Sequence, residues 1–166
     1  MSVLERHGVQ PERFTCEITE TVAMEDTQAT KLTFEKMRRA GFHVSIDDFG
    51  TGYSSLGSLR RLPAAELKID RAFVMDLEES EEARSIAKSI IDMARALGLK
   101  VIAEGVETLG QSNLLVDMGC DELQGFLYSL PIPADDLQKM AMQRRSGDSS
   151  DFRDSLYATG FLRDIE

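Results

Sequence analysis

Five short runs of β-forming residues alternate with helical stretches along this chain, and four of the runs end in carboxylates. These are Glu17-Ile18-Thr19-Glu20, Ile46-Asp47-Asp48, Leu67-Lys68-Ile69-Asp70 and Ile102-Ala103-Glu104. Alternating strands and helices with short connections imply a parallel sheet with right-handed crossovers. All strands of such a sheet end on one face, so carboxylates placed there converge on a single site.

The local signals mark each unit. Phe14 to Thr19 reads as a strand, and Thr27 to Ala40 as a helix carrying Leu32, Phe34 and Met37 and stopped by Gly41. His43 to Asp48 is the next strand, followed by the glycine-bearing loop from Phe49 to Tyr53 and a short helix from about Ser55 to Leu62, stopped by Pro63. Glu66 to Asp70 is the third strand. Ala83 to Leu97 places Ile86, Ile90, Met93 and Leu97 on one helical stripe, with Gly98 as its stop. Leu99 to Glu104 and Glu122 to Phe126 read as strands flanking a helix over Leu109 to Met118, and Pro131 and Pro133 open a last helix to about Gln143. From Arg144 onward the composition turns polar; residues 144–166 are expected to be a linker and tail, in which Phe152, Leu156, Phe161 and Leu162 could form one docking face.

Composition narrows the function classes. With 166 residues, 42% of them hydrophobic, the chain supports one core and one domain. It has no run near the roughly 20 apolar residues that a membrane span needs, and its first ten residues carry charge where a signal peptide is apolar, so a cytoplasmic location is expected. A net charge of -10 argues against binding a nucleic-acid duplex but permits a small anionic ligand if cations reverse the local field. Cys16 and Cys120 lack metal-site or disulfide spacing and read as reduced packing residues. The loop Gly50-Thr51-Gly52 has no third glycine and follows two aspartates, which argues against a dinucleotide fold.

Strand alternation sends Lys68 and Asp70 to one face and Leu67 and Ile69 to the other, toward the helices; Glu17 and Thr19 oppose Cys16 and Ile18 in the same way. An open sheet covered on both sides has no place for a lysine and an aspartate inside. A barrel does, near its mouth. Glu17, Asp47, Asp48 and Glu104 offer only oxygen ligands, which suits Mg²⁺ or Mn²⁺ and disfavours Zn²⁺. His7 and His43 lie away from the strand ends and are expected to be non-catalytic.

The stretches Glu17 to Glu20, Asp47 to Ser55, Leu67 to Arg71, Ile102 to Thr108 and Gln124 to Phe126, taken in order, resemble the motifs of the EAL domain, a family of bacterial phosphodiesterases that linearise cyclic di-GMP to pGpG. The resemblance runs from about Arg13 to about Met140. It implies metal binding by Glu17, Asp47 and Asp48, with Glu107 in support, and a general base in Glu104. It also implies that Lys68 and Asp70 help hold the hydrolytic water, that Gln124 hydrogen-bonds within the site, and that Glu20 anchors the loop from Phe49 to Ser55. Two Mg²⁺ or Mn²⁺ ions about 4 Å apart would polarise the phosphoryl group.

The resemblance has a gap. A (β/α)₈ barrel takes about 250 residues, and the strand bearing the Glu-Ala-Leu motif and another bearing a metal-binding asparagine have no counterpart here. The expectation is a partial TIM-like barrel, strands 4 to 8 with their helices, over residues 1–143, inactive as this chain alone because two metal ligands are missing. Exposed strand edges predict a homodimer or a domain-exchanged oligomer. The alternatives are a cyclic di-GMP sensor without hydrolysis and a protein-interaction module that has lost the ligand.

Overall fold

In the computed structural model, residues 3–25, 27–50, 52 and 56–145 are described, with side chains 56, 140, 141 and 143–145 left aside. Chain order runs α1 (Val3–His7), β1 (Thr15–Thr19), α2 (Glu20–Ala23), α3 (Gln28–Arg39), β2 (His43–Phe49), α4 (Leu56–Leu59) and β3 (Glu66–Ile69). It continues with α5 (Glu81–Ala96), β4 (Lys100–Ala103), α6 (Leu109–Met118), β5 (Glu122–Leu123) and α7 (Ala134–Arg145). Single 3₁₀ turns occupy Pro11–Arg13 and Arg71–Phe73.

The five strands form one parallel sheet in the order β1-β2-β3-β4-β5. This is the α/β architecture expected of part of a barrel, and the cylinder is not closed: among the described residues β1 and β5 each pair on one side only. Register places Ile18, Ile46, Leu67 and Val101 in one row across the sheet. Leu67, Ile69, Val101 and Ala103 are fully buried on the helix side and join one core with Phe34 of α3, Ala87, Ile91 and Ala94 of α5, and Leu115 of α6.

The helices begin and end where local chemistry directs. The Thr27 hydroxyl accepts from the Thr30 amide at 3.1 Å, and the Ser80 hydroxyl accepts from the Ala83 amide at 3.1 Å. That second cap moves the start of α5 two residues ahead of the expected Ala83, to Glu81. Gly119, at φ 90°, closes α6 in the left-handed region that a side chain disfavours.

Of the α5 stripe, Ile90, Met93 and Leu97 pack partly buried against the core and Ile86 is 40% exposed, while Ala87, Ile91 and Ala94 beside them are fully buried. On α3, Phe34 is buried and Leu32 exposed. One expectation is corrected. The strand read as Glu122 to Phe126 stops at Leu123. Beyond it the Tyr128 amide bonds to the Gly125 carbonyl at 3.1 Å, which folds the chain into a turn. The expected helix in the tail, and Thr51 and Tyr53 to Ser55 of the glycine loop, lie outside the described residues.

Candidate metal centre at the strand ends

The sheet face opposite the helices carries the chemistry. Glu17 of β1, Asp47 of β2 and Lys68 of β3 share it by alternation, and Glu104 follows β4 two residues after Ile102 on the same side. The Lys68 ammonium lies 2.8 Å from Glu17 Oε1, 3.3 Å from Asp47 Oδ1 and 2.6 Å from Glu104 Oε1. Lys68 is 5% exposed. Burial alone would push its pKa down, but the hydrogen bonds to Glu104 and Glu17 and the charges of Glu104 and Asp47 outweigh burial and hold it above the usual lysine value.

Adjacent residues on a regular strand point to opposite faces, so Asp47 and Asp48 could not both reach one site without a break in the ladder. The break is present. Ile46 pairs with Leu67 and Phe49 with Ile69, which sets two residues of β2 against Lys68 alone. Asp48 takes φ 53°, in the left-handed region, where a non-glycine residue costs of order 1 kcal/mol or more. Its amide donates to Asp47 Oδ1 at 3.1 Å. As a result, carboxylate oxygens of Asp47, Asp48 and Glu104 lie within 4.8 Å of one another, each half-buried. Three convergent carboxylates with no nitrogen or sulfur donor among them form a set that fits a hard divalent cation.

The remaining expected site residues are placed as follows. Glu20 is buried, and its Oε2 accepts from the amides of Gly50 at 2.8 Å and Gly52 at 3.1 Å, so it anchors the glycine loop. Asp70 caps the turn Arg71–Phe73 through the Ala72 amide at 2.8 Å. Glu107 pairs with Arg71 at 2.8 Å and is not among the three converging carboxylates. Gln124 is exposed and lines a cavity of about 520 Å³ beside β5, together with Ile102, Phe126, Tyr128 and Leu130. His7 bonds only to its own helix at the Val3 carbonyl, 2.9 Å, among the contacts of the described residues, and His43 opens β2 at the far end. Cys16 and Cys120 are free thiols, and burial pushes Cys120 up to about 11.

Sequence reasoning missed Gln111. Its Oε1 accepts from the amides of Glu107 at 2.8 Å and Thr108 at 3.1 Å, while Thr108 caps α6 through the Gln111 amide. The pattern Thr108-x-x-Gln111 is a capping-box signature that could have revealed it.

An open parallel α/β sheet with carboxylates gathered at its strand ends marks part of a barrel-type α/β protein, and sequence comparison narrows this. The family model described as EAL domain matches residues 1–131, and the chain belongs to that family. It is 46% identical over 136 residues to the bifunctional diguanylate cyclase/cyclic di-GMP phosphodiesterase MucR of Pseudomonas aeruginosa, covering 82% of this chain and 20% of that protein. The solved PaMucR phosphodiesterase, a c-di-GMP complex, superposes with a TM-score of 0.77 at 47% identity, covering 81% of this chain and 54% of that one. The Klebsiella pneumoniae BlrP1 manganese/cy-diGMP complex superposes with a TM-score of 0.71 at 36% identity, covering 77% of this chain and 33% of that one. The chain thus spans about a fifth of the curated relative's length. Among the described residues no helix is long and apolar enough to cross a membrane.

Proposed function

We propose that this chain supplies the carboxylate-rich half of a cyclic di-GMP phosphodiesterase site that works with Mg²⁺ or Mn²⁺. The observation that carries the reading is the approach of Asp47, Asp48 and Glu104 oxygens to within 4.8 Å, in a chain of the EAL family. Asp47 and Asp48 hold the cations, with Glu17 beside them. Bound divalent ions supply Lewis acidity toward the phosphoryl oxygen and make water easier to deprotonate near neutral pH. Glu104 takes the proton from the attacking water. Lys68 offsets the charge that three carboxylates would otherwise accumulate, and Asp70 and Glu107 act by fixing the turns on which this arrangement rests. The cavity beside β5, with Gln124 as a polar contact and Phe126 and Tyr128 as aromatic walls, has the size and mixed lining of a ligand site and suits a guanine base.

As an isolated 166-residue polypeptide the chain binds metal weakly and turns over little, because the sheet face bearing Glu17 stays open, that side chain being 52% exposed. An open face and two strand edges also favour self-association. The test is Mn²⁺ titration calorimetry, followed by chromatography of cyclic di-GMP reaction mixtures. Mn²⁺ binding that Asp47→Ala abolishes, with pGpG as the sole product of any turnover, is the expected result. Equal Mn²⁺ heats from the parent and Asp47→Ala end the reading. Calcium in place of manganese, with cyclic di-GMP as titrant, separates a binding-only role from an interaction module, which gives no heat.

A further inference from the structure

The segment after β3 and the segment after β4 are tied by three side-chain links that strand pairing does not require. Arg71 pairs with Glu107 at 2.8 Å, the Thr108 hydroxyl donates to Glu78 Oε1 at 2.6 Å, and Gln111 Nε2 donates to the Met75 carbonyl at 3.4 Å. Gln111 is the centre of this seam. It is 7% exposed, and its other end takes up the Glu107 and Thr108 amides, three and four residues after Glu104. The Glu78 carboxylate packs so closely over α6 that a Cβ built on Gly110 would stand 1.9 Å from its Oε1. A side chain at Gly110 would have to displace that carboxylate.

We propose that Gln111 and Glu78 are positioning residues that set Glu104 against Asp47 and Asp48 by locking residues 104–108 onto the segment after β3. The inference rests on the reading of that cluster as a cation site. A helix cap alone needs only the Thr108 and Gln111 exchange; the reach to Met75 lies outside the cap, and Glu78, which favours the first turn of α6 as well, joins that turn to the segment after β3. Groups that orient metal ligands from behind are worth about 10- to 100-fold in affinity.

Two variants separate positioning from capping. Gln111→Glu keeps an acceptor for both amides, and a carboxylate suits the first turn of a helix, but it has no N–H for the Met75 carbonyl. Gly110→Ala improves helix propensity while its methyl group displaces the Glu78 carboxylate. On the 166-residue chain, Gly110→Ala is expected to melt near the parent temperature and Gln111→Glu somewhat below it, because its carboxylate faces the Met75 carbonyl, yet both are expected to stay folded and bind Mn²⁺ about 10-fold more weakly in titration calorimetry. Amides at 104–108 are expected to exchange faster with solvent deuterium. Unchanged Mn²⁺ affinity in both variants overturns the proposal whatever the exchange rates show. If the parent itself takes up no Mn²⁺, the cation reading fails separately, and the exchange rate of the Glu104 amide decides: faster in the variants supports the seam, unchanged overturns it.

Discussion

Replacing Lys68 with methionine removes the one positive charge that Glu17, Asp47 and Glu104 share while keeping most of the side-chain volume. The ammonium makes contacts of 2.6, 2.8 and 3.3 Å, and Asp47 and Glu104 oxygens lie within 4.8 Å of each other. Two carboxylates at that separation repel by roughly 3 kcal/mol at an effective dielectric of about 20. Removing one partner of a buried ion pair costs about 3–5 kcal/mol; here Glu17 is 52% exposed and the other two carboxylates 21%, which brings the expectation down to about 2–4 kcal/mol. For a chain of this size that is a fall in melting temperature of roughly 5–15 °C. The assay is thermal unfolding followed by circular dichroism, with EDTA and then with saturating Mn²⁺. A divalent ion replaces the lost charge, and a ligand at about 100 times its dissociation constant stabilises by about 2.7 kcal/mol, so Lys68→Met should gain more from Mn²⁺ than the parent does. Lys68 has its pKa raised in the fold, so its contribution is fully present below the ordinary lysine value and is lost only as pH rises through the higher folded value. The difference between variant and parent should therefore be flat from neutrality to about pH 10. Equal melting of the two in EDTA, or no Mn²⁺ rescue of the variant, refutes the reasoning.

Three other outcomes are expected. Glu20→Ala takes from the exposed Gly50 and Gly52 amides their shared acceptor, at about 0.5–1.5 kcal/mol for each bond lost, and should raise hydrogen exchange at both; unchanged exchange would show that the loop does not depend on Glu20. Gly125→Ala places a methyl group 2.1 Å from the Val106 carbonyl oxygen, against backbone that cannot swing aside, and should cost about 1–3 kcal/mol or more in urea unfolding. Cys120, pushed up to about 11 from 9.0 chiefly by burial, carries about 100-fold less thiolate at pH 8 than an ordinary thiol, so a disulfide reagent should label it far more slowly in the native protein than after denaturation.

Much of the fold was legible because its signals are local. Thr27 stands at a helix start and Gly41 and Gly98 at helix ends, and each acts through bonds to residues within a turn of itself. The fully buried residues of α5, Ala87, Ile91 and Ala94, lie beside the stripe read from the sequence, because a periodic stripe tells which residues share a side, not which of them end deepest. The end of β5 at Leu123 was misread because the turn at Gly125 depends on contact with Val106, which belongs to another unit.

The site divides along the same line. The order of strands and helices, and the face onto which Glu17, Lys68 and Glu104 project, follow from the sequence alone, because side-chain direction repeats every two residues along any strand. The bulge that brings Asp47 and Asp48 to one side, the single lysine that three carboxylates share, and the seam through Gln111 were decided by tertiary structure. Each is a relation between segments that meet only after the sheet has formed: register belongs to a pair of strands, and an ion pair to whichever groups packing brings within a few ångströms.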